Sequence, residues 1–123
     1  MRRIFFVIRG RLDGAGVLLS GLCAAHCILG IVLVSLLGLG GGLLLAPAIH
    51  RVGLALAVLV GVAALGLGAR RHGRFGPLAL GACGVAAMAA ALAAGHGLPE
   101  AVLTIAGVAL VAAAHIRNLR HAA

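Results

Sequence analysis

From Gly14 to Ile49 the chain carries no Asp, Glu, Lys or Arg, a longer uncharged run than one helix can use inside a bilayer. As a single α-helix it would extend about 54 Å, against a hydrocarbon core of about 30 Å. Gly38, Gly40, Gly41 and Gly42 supply the necessary break, and Pro47, His50 and Arg51 mark the far interface, so a first span is expected near residues 14–37. Continued along the chain, the same reading gives a second span near 52–69, closed by a polar turn of Arg70, Arg71, His72 and Arg74. A third opens at Gly76 and Pro77 and reaches about residue 95, and a fourth runs near 98–116. The expected fold is all-α: a four-helix transmembrane bundle, one membrane domain over residues 1–123.

Composition points the same way. At 63% hydrophobic and 10% charged, with a mean hydropathy of +1.23, the chain lacks the polar residues that cover a soluble domain. Its 20 glycines and the absence of Trp and Tyr leave little side-chain volume, so the helices must pack backbone close to backbone. Along the third span Ala82, Ala86, Ala90 and Ala94 recur at i, i+4, a stripe expected to admit a neighbouring helix. Pro99 and Glu100 suit the first turn of the fourth, where the helix dipole favours an anion and the acid is read as interfacial.

The net charge of +8 comes from ten basic residues, all Arg. They sit in short islands without interleaved aromatics, which excludes nucleic acid as the expected partner. Arg2, Arg3, Arg9, Arg11, Arg70, Arg71, Arg74, Arg117 and Arg120 fall on one side of the four spans and Arg51 on the other, so both termini are expected in the cytoplasm. The run Ile4 to Ile8 is too short for a secretory signal and is followed by Arg9, Arg11 and Asp13, so the N-terminus is expected to stay uncleaved. The outer loops, near 38–51 and 95–98, are short, which leaves the bundle and its cytoplasmic rim to carry the function.

Polar atoms inside a span are costly unless they serve a purpose. The spans enclose Ser20, Cys23, His26, Cys27, Ser35, Cys83 and Thr104. Ser and Thr can return their hydroxyls to the i−4 carbonyl. Cys23 and Cys27, at i and i+4, share a helix face, with His26 beside the second. Counted from Asp13 at the cytoplasmic interface they lie roughly 15 and 21 Å in, either side of the bilayer midplane. Thiolates suit soft cations and imidazole borderline ones such as zinc or copper, whereas the oxygen ligands of magnesium or calcium are nearly lacking. Cys83, at a depth near that of Cys23, is a candidate third ligand or a packing residue. His72 and His115 at the cytoplasmic rim are candidates to relay a departing metal, or solvated and capping residues. His50 and His96 face outward, where a cation would enter.

Three pieces of the chain resemble the MerC-type mercury resistance membrane proteins. The first is Asp13, Gly16 and Ser20 followed by Leu22-Cys23-Ala24-Ala25-His26-Cys27. The second is His50-Arg51 ahead of a span closed by Arg70-Arg71-His72. The third is Glu100-Ala-Val-Leu-Thr104-Ile-Ala-Gly107, continuing to Ala114-His115-Ile116-Arg117-Asn118-Leu119-Arg120. The resemblance implies a four-span protein of the bacterial inner membrane that takes up mercuric ion through a first-helix cysteine pair, here Cys23 and Cys27, and supplies cytoplasmic mercuric reductase or another thiol acceptor. Transposon-type members have a tighter cysteine pair and further cysteines in a cytoplasmic tail. This chain ends His121-Ala122-Ala123 and is more similar to the broader MerC-domain proteins, for which zinc or another thiophilic metal is implied as an alternative cargo.

The expected function is therefore uptake of a thiophilic divalent metal, with Hg²⁺ first and Zn²⁺ as the alternative, and no permanently bound cofactor. The competing readings are a small membrane subunit whose glycine-rich helices pack on a partner, and a thiol oxidoreductase. The last is disfavoured because nothing electropositive surrounds the cysteines. No constellation for hydrolytic catalysis is present, and the chain is not expected to be an enzyme.

Overall fold

The computed structural model describes residues 1–38, 46–95 and 97–122. They form four helices, α1 (Arg2–Leu37), α2 (Pro47–His72), α3 (Gly76–Ala93) and α4 (Leu98–Ala122), with no strand among the described residues. All four are long and apolar enough to cross a membrane. Gly38 and Gly73 end α1 and α2 at φ 60° and 66°, the left-handed conformation that costs glycine nothing and so stops a helix. Pro47 and Pro77 lie in the first turns of α2 and α3, where no intrahelical partner for the missing N–H is lost. Of the expected breaker, Gly38 acts as read; Gly40, Gly41 and Gly42 lie outside the described residues.

The helices run alternately up and down. α1 and α3 make no contact among the described residues and take one diagonal, while α2 and α4 touch across the other. The closest approach is between α3 and α4: a Cβ on Gly84 would come within 2.6 Å of the Gly107 carbonyl oxygen, and one on Gly107 within 2.7 Å of that of Gly84. Backbone therefore lies directly on backbone, the small-residue packing expected in lipid. The stripe read for this purpose is the wrong one. Ala82, Ala86, Ala90 and Ala94 are all exposed, and the inward face of α3 is Gly81, Gly84, Met88 and Ala91. Spacing identifies a face, but which face meets the neighbour is decided by the closer approach that glycine allows.

Burial is inverted relative to a soluble bundle. Leu18, Leu22, Leu59 and Val62 are 60–68% exposed, whereas Asp13, His115 and Asn118 are fully enclosed at 0%. Large apolar residues turned outward and charged ones turned inward suit a surround of acyl chains, where an outward polar group would find no partner. Ser20 donates to the Gly16 carbonyl at 2.9 Å, as expected of a hydroxyl within a span. α4 runs beyond the expected end at 116, and the extra turn carries Asn118 into the interior.

Candidate metal centre

The inward face of α1 is a polar and small-residue stripe. Arg9, Asp13, Gly16, Ser20, Cys27 and Gly30 are its buried residues, spaced by threes and fours, and half-buried Cys23 fills the remaining place in the register. That spacing keeps one side of a helix turned to its neighbour over many turns. The two thiols share this face, as their i, i+4 separation requires, and both look toward α2. Cys23 Sγ lies 3.5 Å from where a Cβ on Gly53 would stand. One turn on, Cys27 Sγ is 3.6 Å from His50 Nε2.

His50 is the residue that the sequence misplaced. Read as a marker of the far interface, it instead lies level with Cys27, with α1 continuing to Leu37 beyond that point. Pro47 starts α2 early enough to carry His50 inside the helix rather than before it. The His26 ring packs edge-on to that of His50, centroids 5.6 Å apart. One donor atom each from His26, Cys27 and His50 falls within 4.8 Å of the others. From the first turn of α4, Glu100 brings Oε1 to 3.7 Å from His50 Nδ1. A cavity of about 260 Å³ opens beside the cluster, lined among others by Cys27, Ser35, His50 and Glu100. The thiol and two imidazoles are donors that could hold a soft or borderline cation, with a carboxylate behind His50 and open space alongside.

The family described as MerC mercury resistance protein matches residues 13–120. The chain belongs to this family. No curated protein and no solved structure matches it. As a MerC member with four candidate spans it is a mercury resistance membrane protein whose apolar flanks contact lipid. The matched segment begins at Asp13 and includes every cysteine and both polar clusters of the bundle.

The second of those clusters occupies the opposite end, where α1 starts and α2 and α4 finish. His115 Nδ1 donates to Asp13 Oδ1 at 2.8 Å. Asn118 Nδ2 donates to Asp13 Oδ2 at 2.9 Å and to the Ala64 carbonyl at 3.2 Å, and accepts from His72 Nε2 at 2.9 Å. The backbone N–H of Arg74 donates to His72 Nδ1 at 3.1 Å, which leaves Nε2 to carry the proton. Asp13 thus ties α1 to α4, and Asn118 extends the tie to α2. Gly16 and Gly68 make room for it, since a Cβ on either would overlap the His115 ring or the Asn118 amide.

Of the metal ligands expected in this MerC chain, His26 and Cys27 come together with His50, while Cys23 stands one turn away from Cys27 on the same stripe, beside Gly53. His72 and His115 belong to the Asp13 cluster and are held there by hydrogen bonds. Cys83 is exposed on α3, a helix that does not touch α1, so it cannot join the pair: a similar depth does not bring two residues onto facing sides. His96 lies outside the described residues. Asp13 and Glu100 carried part of the family resemblance, but sequence reasoning gave neither a site role: Asp13 served as a depth marker and Glu100 as an interfacial acid. Both announced themselves by register. Asp13 is in phase with Gly16, Ser20, Cys23 and Cys27, and Glu100 stands one turn before buried Thr104.

Proposed function

We propose that this protein carries mercuric ion across the bacterial inner membrane, receiving it at Cys27 and passing it by way of Cys23 toward cytoplasmic thiols, those of mercuric reductase among them. The observation that carries the reading is the placement of Cys27 and Cys23 one turn apart on the inward stripe of α1, both turned to α2. Side chains at i and i+4 have Cβ atoms about 5–6 Å apart, close enough for two sulfurs to hold one ion between them. A soft cation that prefers few sulfur ligands moves from thiol to thiol through a state bound to both, so it is never released bare into hydrocarbon, where an unpaired charge is very costly.

The direction follows from the arginines. With both termini in the cytoplasm, the starts of α2 and α4 face outward, and the cavity beside Cys27 and Glu100 is the entrance. A carboxylate there raises the local concentration of a dication. Beyond Cys23 the stripe passes Ser20 and Gly16 to Asp13, whose bonds to α4 close the inner end. Release requires these helices to part.

The test is uptake. Cells that express the protein without a reductase should become hypersensitive to Hg²⁺ and accumulate it. Cys23→Ser and Cys27→Ser should each abolish both effects at unchanged membrane abundance. Wild-type accumulation in both single variants would overturn the thiol path and leave a partner-binding role for the bundle.

A further inference from the structure

We infer that His26, Cys27 and His50, with Glu100 behind His50, form a second and chemically distinct metal site, one for a borderline divalent cation of the zinc class. It shares only Cys27 with the mercury path and draws its other donors from nitrogen.

The distances favour a tetrahedral ion. With metal–nitrogen bonds of about 2.0–2.1 Å and metal–sulfur bonds of about 2.3 Å, the sulfur-to-nitrogen edge of a tetrahedron is about 3.5 Å. Cys27 Sγ and His50 Nε2 are already 3.6 Å apart. The His26 donor lies within 4.8 Å of both. One sulfur and two nitrogens make three protein ligands, and the adjoining cavity leaves the fourth position open to water or a passing ligand.

Glu100 adds a second, independent indication. Metal-bound histidines regularly direct their other ring nitrogen at a carboxylate, which fixes the tautomer and aims the ligating nitrogen. Here Glu100 Oε1 faces His50 Nδ1 at 3.7 Å while Nε2 faces the thiol. The line from carboxylate through imidazole to metal position joins α4, α2 and α1. Mercuric ion, satisfied by two thiols, needs none of this; zinc, which takes three or four nitrogen and sulfur donors, needs all of it.

Co²⁺ titration of the full-length protein in nanodiscs tests the inference, because tetrahedral Co²⁺ gives intense ligand-field bands and a thiolate charge-transfer band. Wild type should show both, and Zn²⁺ should displace them. His50→Ala and Cys27→Ser should abolish the bands, and His26→Ala should weaken binding at least tenfold. Glu100→Gln, which keeps the side-chain shape, should weaken it by about 10–100-fold. Cys23→Ser should retain the cobalt site while losing Hg²⁺ uptake, which separates failure of this site from failure of the mercury path. His50→Gln, more conservative than alanine, checks against misfolding: with helicity and particle size unchanged, it should still lose the bands. Undiminished bands in His50→Gln would overturn the inference. So would their loss in Cys23→Ser, which would assign cobalt to the thiol pair.

Discussion

His115 and Asp13, 102 positions apart, meet through Nδ1 and Oδ1 at 2.8 Å, and neither is exposed. A fully enclosed carboxylate survives in a membrane bundle only when its charge is met by donors. Asp13 has them from His115 and, on both oxygens, from Asn118. The pair joins the start of α1 to the end of α4 and thereby fixes which face of α1 looks inward. The thiols are on that face, so the clasp at one end of the bundle sets the orientation of the site at the other.

Removing the acid should therefore cost more than removing any single bond. Asp13→Ala leaves the His115 Nδ1–H enclosed without an acceptor and the Asn118 amide with only the Ala64 carbonyl, and breaking a buried charged cluster from one side costs about 3–5 kcal/mol. Asp13→Asn, which keeps one acceptor oxygen, should lose less. Denaturant titration of helicity in micelles measures both. Equal stability of wild type and Asp13→Ala would show that the cluster contributes nothing net.

Two glycines serve that same clasp. Gly16→Ala and Gly68→Ala place a methyl group into the His115 ring and the Asn118 amide respectively, and overpacking of this kind costs about 1–3 kcal/mol. Gly21→Ala and Gly61→Ala meet nothing within 4 Å and should stay within about 0.5 kcal/mol of wild type. The same titration, run on all four, checks the contrast. A uniform loss across them would mean that the space beside His115 and Asn118 is not what sets Gly16 and Gly68 apart.

The features legible in the sequence were the local ones. An uncharged run and its glycine break give spans, and i, i+4 spacing puts Cys23 and Cys27 on one face, because both depend only on the geometry of a single helix. What was not legible was which faces meet. His50 and Cys27 stand 23 positions apart, and their pairing depends on how far α2 starts inside the bundle, which hydropathy does not encode. Asp13 was read as a boundary because an acid ordinarily ends a span; its partners lie on α4, at the far end of the chain. The alanine stripe of α3 failed for a related reason, since small residues outside the contact pack against lipid as readily as glycine packs against backbone.

Cys83 supplies a control for the mercury path. It is exposed on α3 and separated from the stripe by the diagonal of the bundle. Cys83→Ser should accumulate Hg²⁺ at the wild-type rate, and a chain keeping Cys83 as its sole cysteine should accumulate no more than one lacking all three. Uptake by that single-cysteine chain would place a second conduit along the outer face of α3.

Orientation is the last expectation open to direct measurement, and it decides the sense of transport. Arg9 lies on the inward stripe at the Asp13 end, and the chain order puts every arginine except Arg51 at that same end of the bundle. Cytoplasmic retention of basic flanks then predicts that alkaline phosphatase fused after His121 is inactive, and that the same enzyme inserted near Gly95 is active. The reverse pattern would turn the cavity beside Glu100 toward the cytoplasm. Cys27 would then be the point of departure and the Asp13 clasp would guard the entrance, so the same thiols would serve export.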